Sequence, residues 1–478
     1  MILKKLLLKK WKNWLAMLER KKIHLIGIGG VGMSGLALIL TKLGHEVTGC
    51  DIAKSKYTKM LEKAGVKVYY EHSESHLNSV DIVVYSSAIP QDNPEILKAK
   101  ELGIWLISRA QMLSEVMSMY PKTIVVAGSH GKTTTTSMLS EVLIKLNKNP
   151  TVIVGGIINN FKTHSLLGKS EYLIAEADES DGSFLCYRPY IEVITNIDKE
   201  HLDFYADFNA VKKAFINFIK KCSSQGKVIL CGDDPGVKEV LKEISGPFLL
   251  YGFCPENQLV GKLKDESPYP EVEIYYLNKF LGNLKLSVPG KHNVINALGV
   301  IGVCLELKLS ISKVIKALQE FKGVARRLEL KGIWNQTILI DDYAHHPTEI
   351  KATFSALKNL YPHKKIIVIF QPHRYTRTKF LWNEFLFTLK DPEVLILTEI
   401  YPASEKPIPG ISGYNFYEAV KTLRYPHPTF FASSFEEILQ ILKKIIGKNQ
   451  VIITMGAGDI YKLHKYLLNK DQRESYAI

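Results

Sequence analysis

The chain reads as an α/β protein of three domains, each built on a mostly parallel sheet, and three observations point there. Short apolar runs alternate with stretches of helical spacing from Ile23 onward, the pattern of repeated strand–helix–strand units. Two glycine-rich turns, at 27–32 and 128–131, each follow an apolar run and open a helix. Acids, histidines and arginines recur just after strand-like runs, where an open parallel sheet gathers its ligands.

A length of 478 residues accommodates several domains with cores of their own. A hydrophobic fraction of 46% with 23% charged residues describes a globular chain and excludes a disordered one. Cys50, Cys186, Cys222, Cys231, Cys254 and Cys304 are scattered, with no Cys-x-x-Cys pair. That argues against a disulfide framework and a zinc site, and fits a cytoplasmic protein. No run approaches the ~20 apolar residues needed to cross a bilayer. Lys and Arg number 62 against 48 Asp and Glu, a net charge of +14. No zinc finger, RNA-recognition signature or basic–aromatic repeat accompanies that charge, so anionic small substrates rank ahead of nucleic acid.

The elements follow in order. Residues 1–22 form a basic amphipathic segment, with Leu3, Leu7, Trp11, Trp14, Leu15 and Leu18 on one helical face. Lys9 and Lys10 interrupt the apolar run and no small-residue cleavage site follows, unlike a signal peptide. Docking on the first domain is the favoured expectation, and weak contact with a membrane surface the second. The first domain, 23–118, has expected strands at 24–28, 46–50, 66–70, 81–85 and 104–107. Gly27, Gly29 and Gly32, with Gly30 between them, match the Rossmann-like G-x-G-x-x-G, and Asp51 ends the next strand. Physically this offers a backbone that can approach a diphosphate and an acceptor for a sugar hydroxyl. NAD and a nucleotide-sugar diphosphate both satisfy it.

The central domain, 119–325, begins with a strand at 124–127 that runs into Gly128-Ser129-His130-Gly131-Lys132-Thr133-Thr134. Glycines let backbone N–H groups close on anionic oxygens, and the helix N-terminus adds partial positive charge. Lys132 can reach the β/γ-phosphates of ATP and the Thr133 hydroxyl can hold Mg²⁺. The first glycine of the standard loop would fall at Val126, so this is a shorter variant. Further strands are expected at 151–154, 172–175, 193–196 and 228–231. Two of them run into acidic segments, 176–181 and 198–203. Such oxygen ligands suit ATP-bound Mg²⁺, with a neutral imidazole such as His201 as a minor ligand. The region 247–288 reads as more antiparallel, with strands 272–276 and 284–288 near a Gly-Asn turn.

The third domain, 326–478, has expected strands at 337–340, 365–370, 394–397, 429–431 and 451–455. Asp342, Tyr343, Ala344, His345 and His346 follow the first of these, and Arg374 and Arg377 follow the second. Arginines there suit bidentate grip of a carboxylate or phosphate. The paired histidines suit hydrogen bonding, a metal or a general base; with no clean third ligand, hydrogen bonding is favoured.

Taken in order, the motifs at 27–37, 127–134, 176–181, 289–297 and 341–349 resemble the Mur ligases of peptidoglycan synthesis. The resemblance runs from about Ile23 to Ile460. It implies an N-terminal UDP-binding domain, a central P-loop-type ATPase domain and a Rossmann-like C-terminal domain that closes over both. The first glycine turn, with Ser34, Asp51, Ser86 and Ser87, would then hold a UDP-sugar in place of a nicotinamide. Lys132, Glu176 and His201 would be catalytic, and Thr133, Glu176 and His201 would hold the metal. His292 and Asn296 resemble the family's adenine contacts, and Arg327 and Asp342 its nucleotide contacts from the closing domain. Tyr343, His345, Arg374 and Arg377 resemble the residues around the incoming amino acid. The implied reaction phosphorylates the lactyl carboxylate of UDP-N-acetylmuramate with ATP, and the amine of L-alanine then displaces phosphate. The implied assembly is a monomer or homodimer. A recycling branch that attaches a tripeptide to the same sugar is the alternative; Gly30 and residues 180–182 favour the alanine branch. Ala344 stands where the family often has glycine. Lys212 and Lys213 lie near the place of a carbamylated lysine in several members, and neither is assigned that role.

Overall fold

The computed structural model describes residues 19–474 apart from residues 202, 203, 266 and 404. The amphipathic segment expected over 1–22 therefore lies, as far as residue 18, outside the described residues.

The first sheet holds β1 (Lys22–Ile26), β2 (Glu46–Cys50), β3 (Lys67–Tyr69), β4 (Ile82–Tyr85) and β5 (Trp105–Ser108). All are parallel, in the order β3-β2-β1-β4-β5. The direction of winding reverses between β1 and β4, and such a reversal opens a crevice at the strands' carboxyl ends. β1 ends two residues earlier than its apolar run because Gly27 takes φ +79° and leaves the sheet.

The second sheet contains β6 (Lys122–Ala127), β7 (Thr151–Ile158), β8 (Thr163–Leu166), β9 (Tyr172–Glu176) and β10 (Ile191–Ile194). It continues through β11 (Lys227–Cys231), β12 (Phe248–Gly252), β13 (Leu259–Leu263), β14 (Glu271–Tyr276) and β15 (Lys279–Lys285). The order is β15-β14-β13-β12-β11-β10-β6-β9-β7-β8, parallel except at the two ends. Ile124 to Ala127 of β6 are wholly buried, as expected of a strand covered on both faces. The hairpin β14–β15 corrects one expectation. Its turn is Leu277-Asn278, both at positive φ, not the Gly-Asn pair at 282–283. Asn tolerates that left-handed geometry well. Gly282 instead lies inside β15, beside the bulge where the register shifts.

The third sheet holds β16 (Glu329–Trp334), β17 (Thr337–Asp342), β18 (Lys365–Phe370), β19 (Val394–Thr398), β20 (Thr429–Ala432) and β21 (Gln450–Met455). Its order is β16-β17-β21-β18-β19-β20, with β16 the one antiparallel member. Arg326 (φ +65°) and Leu328 (φ +46°) bend the chain as it enters this domain. Ala325 N donates to Ile157 O, which ties the entry to the central sheet. Among the described residues no helix is long and apolar enough to cross a membrane.

Candidate active site

β6 feeds the chain through Gly128 (φ +131°) and Gly131 (φ +80°) into the helix Lys132–Lys145. A Cβ on Gly128 would lie 2.2 Å from Thr195 Oγ1, and one on Gly131 2.6 Å from Asn296 Oδ1, so only glycine fits either place. The loop is shaped by the segment that follows β10. His130 N donates to Asn196 Oδ1 at 2.8 Å, Thr195 Oγ1 donates to His130 O at 2.6 Å, and Asp198 N donates to Ser129 Oγ at 2.8 Å. Lys132 Nζ donates to Gly128 O, Ser129 O and, at 2.9 Å, Glu179 Oε1. Thr134 is buried in the first turn of the helix.

Because β6 lies between β9 and β10, both acidic segments flank this loop. Glu176 accepts from Thr133 Oγ1 at 2.9 Å and from Gly155 N at 2.7 Å. Burial pushes its carboxyl upward, opposed by the Lys132 charge. His201 Nε2 lies 3.5 Å from both Glu179 Oε1 and Glu200 Oε2. The metal-site residues read from the sequence thus fall in two adjoining groups, Thr133 with Glu176, and His201 with Glu179 and Glu200. The Lys132–Glu179 ion pair joins them. Glu179 Oε2, Glu200 Oε1 and His201 Nδ1 are buried without a hydrogen-bond partner, and Glu179, Glu200 and His201 converge within 4.8 Å. Buried carboxylate oxygens left over in this way suit a hard divalent cation.

The third domain completes the site. Thr348 Oγ1 donates to Asp198 Oδ2 at 2.8 Å across the domain boundary. His130 pairs with the same Asp198 oxygen at 3.0 Å, and its other nitrogen lies 3.7 Å from Glu349. Burial alone would lower the pKa of His130, but the hydrogen bond to Asp198 and the nearby negative charges of Glu349 and Glu200 outweigh it and push the value up to about 10. Glu349 also meets Arg327 Nη1 at 3.3 Å and accepts from His345 N at 3.0 Å. Arg377 Nε approaches Glu200 at 4.0 Å while its Nη1 pairs with His373. Despite burial, the charges of His130, His346, Arg377 and His201 hold the Glu200 carboxyl well below its usual range.

Between these domains lies a cavity of about 370 Å³, the size of a nucleoside-bearing pocket. His130, Gly131, His292, Asn296, Arg327 and Asp342 all reach its wall. Burial, with the nearby Arg327 charge, lowers the His292 pKa to about 4, so that ring is neutral at pH 7. Asp342 accepts from Leu328 N and Ala344 N and so shapes the turn around the pocket.

In the first domain Gly27 N and Ile28 N both donate to Cys50 O, and Gly29 N donates to Asp51 Oδ2 at 2.9 Å. Asp51 therefore braces the glycine turn, its other oxygen accepting from Ala53 N. Gly30 precedes the helix Val31–Lys42, and a Cβ on Gly32 would meet Arg109. Ser34 Oγ is buried against His164 of the central domain at 3.0 Å, which makes it a contact between domains. Ser86 N donates to Ile26 O, and Ser87 beside it is exposed.

Of the residues read as lying around an amino acid, Tyr343 packs under the guanidinium groups of Arg326 and Arg327. His345 Nδ1 pairs with Tyr343 O, and the ring faces His373 edge-on. Arg374 differs from the rest, because Glu405 clamps its Nε at 2.5 Å. The sequence placed Glu179, Asp198 and Glu200 in acidic segments suited to Mg²⁺ and His346 in a hydrogen-bonding pair without singling any of them out, and it assigned no role to Thr348 or Glu349. Their signal was position, since each stands one to four residues from an assigned residue.

Comparison with known proteins places this geometry in a family context. Residues 22–121 match the model described as Mur ligase family, catalytic domain; 126–304 match the Mur ligase middle domain; 326–458 match the Mur ligase, glutamate ligase domain. The UDP-N-acetylmuramate–L-alanine ligase of Solidesulfovibrio magneticus is 42% identical over 452 residues, 95% of this chain and 98% of that one. Its counterpart in Aquifex aeolicus is 44% identical over 443 residues, 92% and 96% of the two chains. Among solved structures, the UDP-N-acetylmuramate–alanine ligase of Thermotoga maritima superposes with TM-score 0.80 at 30% identity, covering 95% of this chain and all of that one. A murein peptide ligase from Psychrobacter arcticus superposes at 0.73 with 25% identity, covering 94% and 98%.

Proposed function

The chain belongs to the Mur ligase family, and from that membership we propose that it joins L-alanine to the lactyl carboxylate of UDP-N-acetylmuramate, an ATP-dependent step of peptidoglycan precursor synthesis. The observation that carries the ATP-dependent half is the phosphate loop at 128–133, open to a cavity that the third domain covers with Arg327 and Glu349. The choice of amino acid is supported by curated alanine ligases at 42–44% identity and by the better superposition of the alanine ligase, TM-score 0.80 against 0.73 for the peptide ligase.

A carboxylate is a poor acyl donor, so its oxygen first attacks the γ-phosphorus of ATP, giving an acyl phosphate and ADP. The Lys132 ammonium and the loop N–H groups offset the charge on the transferring phosphoryl group. Thr133, Glu176 and His201, with Glu179 and Glu200 behind His201, would hold Mg²⁺, which supplies further charge neutralisation when bound. The free amine of alanine then attacks the carbonyl carbon, and the tetrahedral intermediate expels phosphate. Burial lowers the His345 pKa to about 4, which keeps the ring neutral at pH 7. Since the Tyr343 carbonyl only accepts, Nδ1 carries the proton and Nε2 is left as an acceptor near the amine. Arg377, held beside His373 and Glu200, is the cation we assign to the amino-acid carboxylate, whereas Arg374 acts through its tie to Glu405. The UDP moiety rests on Gly27, Gly29, Gly30 and Gly32 with Asp51 and Ser86 in reach. Water would hydrolyse the acyl phosphate, and the contact of Thr348 with Asp198 supports a third domain that excludes it. We place the reaction in the cytoplasm, where ATP is held.

The test is phosphate release from ATP with Mg²⁺ and UDP-N-acetylmuramate, comparing L-alanine with L-Ala-γ-D-Glu-meso-diaminopimelate. Turnover that requires L-alanine is expected; turnover with the tripeptide alone would overturn the assignment.

A further inference from the structure

Far from the phosphate loop in sequence, a second group of ligand-type side chains converges on one face of the first sheet. His24 comes from β1, Cys50 from the end of β2, His72 and His76 from the segment after β3, and Glu95 from the start of the helix Pro94–Glu101. The ligand atoms of His24, Cys50, His76 and Glu95 all lie within 4.8 Å of one another. His24, Cys50 and Glu95 are wholly buried, and the His76 side chain is 5% exposed. Glu95 Oε1 stands 2.6 Å from His76 Nδ1 and 3.4 Å from His24 Nε2, and Glu95 Oε2 accepts from the Cys50 thiol at 2.8 Å.

The orientation of His24 carries the argument. Its Nδ1 pairs with Thr48 Oγ1 at 2.8 Å, which turns Nε2 into the cluster. There Nε2 is buried and lacks a hydrogen bond of good geometry. Buried polar groups are as a rule paired, and a ligating imidazole has one nitrogen fixed by an outer partner and the other aimed at the metal, the arrangement His24 shows. Tyr69 fixes the second imidazole by stacking on His76 at 3.9 Å. Two imidazole nitrogens, one sulfur and one carboxylate oxygen make a four-ligand, zinc-type donor set, too soft for Mg²⁺ or Ca²⁺.

We propose that His24, Cys50, His76 and Glu95 bind a zinc-class divalent metal ion at a site separate from the ATP chemistry. On binding, the Cys50 proton leaves to solvent and a metal–sulfur bond replaces it, while the imidazoles bind as neutral ligands. Thiolate and carboxylate together neutralise the dication. His72, 3.2 Å from Cys50 Sγ and partly exposed, forms the rim. The ion would staple the segment around 72–76 to the sheet. Through the Cys50 carbonyl it would also steady the base of the first glycine turn. Ligands drawn from four separate segments explain why cysteine spacing gave no hint, and His72-x₃-His76 is the only local signal.

The test uses the full chain and does not depend on the ligase reading. After loading with Zn²⁺ and gel filtration, about one zinc per chain is expected by elemental analysis. Replacement by Co²⁺ should give a thiolate-to-cobalt charge-transfer band, which an all-oxygen Mg²⁺ site cannot produce. Cys50→Ser should abolish the band and Cys186→Ser should leave it intact. Thr48→Val, which touches no ligand atom directly, should weaken cobalt affinity ~10-fold or more. Wild-type protein that takes up no cobalt with thiolate character overturns the proposal, whatever the fate of the variants. So does a band that survives Cys50→Ser or disappears in Cys186→Ser.

Discussion

Lys132→Ala is expected to reduce both turnover and stability, and a second change at Glu179 should separate the two losses. The Lys132 ammonium lies 2.9 Å from Glu179 Oε1, with side-chain exposures of 14% and 1%. Removing it strands a buried carboxylate whose other oxygen already lacks a partner. Breaking a buried pair in this way costs about 3–5 kcal/mol, and the exposure of Lys132 argues for the lower end, about 3. For a domain of roughly 200 residues each kcal/mol moves Tm by ~2–4 °C, so a drop of about 6–12 °C is expected. Turnover should fall at least ~10²-fold, the scale for losing a major transition-state charge. In Lys132→Ala/Glu179→Gln the stranded charge is gone, and most of the Tm should return while turnover stays low. The assays are coupled phosphate release and thermal unfolding followed by circular dichroism. Near-wild-type turnover in the single variant, or recovery of turnover in the double, would refute the reasoning.

Three further outcomes are expected. The His130 pKa is 6.5 ordinarily and about 10 here, so its contribution to stability is complete below pH 6.5 and is lost as pH rises toward 10. Thermal midpoints measured from pH 6.5 to 10 should therefore slope downward in the wild type and less steeply in His130→Gln; equal slopes would count against the ion-pair account. Gly131→Ala forces a Cβ to 2.6 Å from Asn296 Oδ1 at a left-handed backbone position, and ATP affinity by titration calorimetry should fall ~10-fold or more, 1.4 kcal/mol per decade. Thr348→Val removes the 2.8 Å hydrogen bond to Asp198, worth about 1 kcal/mol, so kcat/KM should drop ~5-fold with the fold of each domain unchanged by circular dichroism.

The three-sheet architecture was legible because its strands are short, apolar and separated by helical spacing. Glycine positions also located both turns that lead from a strand into a helix. The hairpin at 271–285 was misread in detail because Gly-Asn is a strong turn signal, yet Gly282 is taken up by a bulge and the turn falls on Leu277-Asn278. β16 was not anticipated, since its half-exposed pattern carries no strong apolar run. At the site, the phosphate loop and both acidic segments could be read, but not which acid serves which partner. Glu176 and Glu179 are three residues apart, and β9 ends between them, so one meets Thr133 and the other Lys132. Contacts such as Asp198 with Thr348 join residues 150 apart, and no local pattern encodes them.

His130 belongs to the phosphate loop, yet its ring is gripped by Asp198 of its own domain and faces Glu349 of the next. The loop that would hold ATP is thus also part of the latch between two bodies. Swinging the third domain away through the bend at Arg326 and Leu328 necessarily strips the loop of one of its neighbours. Opening and disassembly of the reaction centre become one mechanical event. A molecule that wedges the latch ajar would silence the protein from the rim of the nucleotide cavity, where His130 and Glu349 face one another.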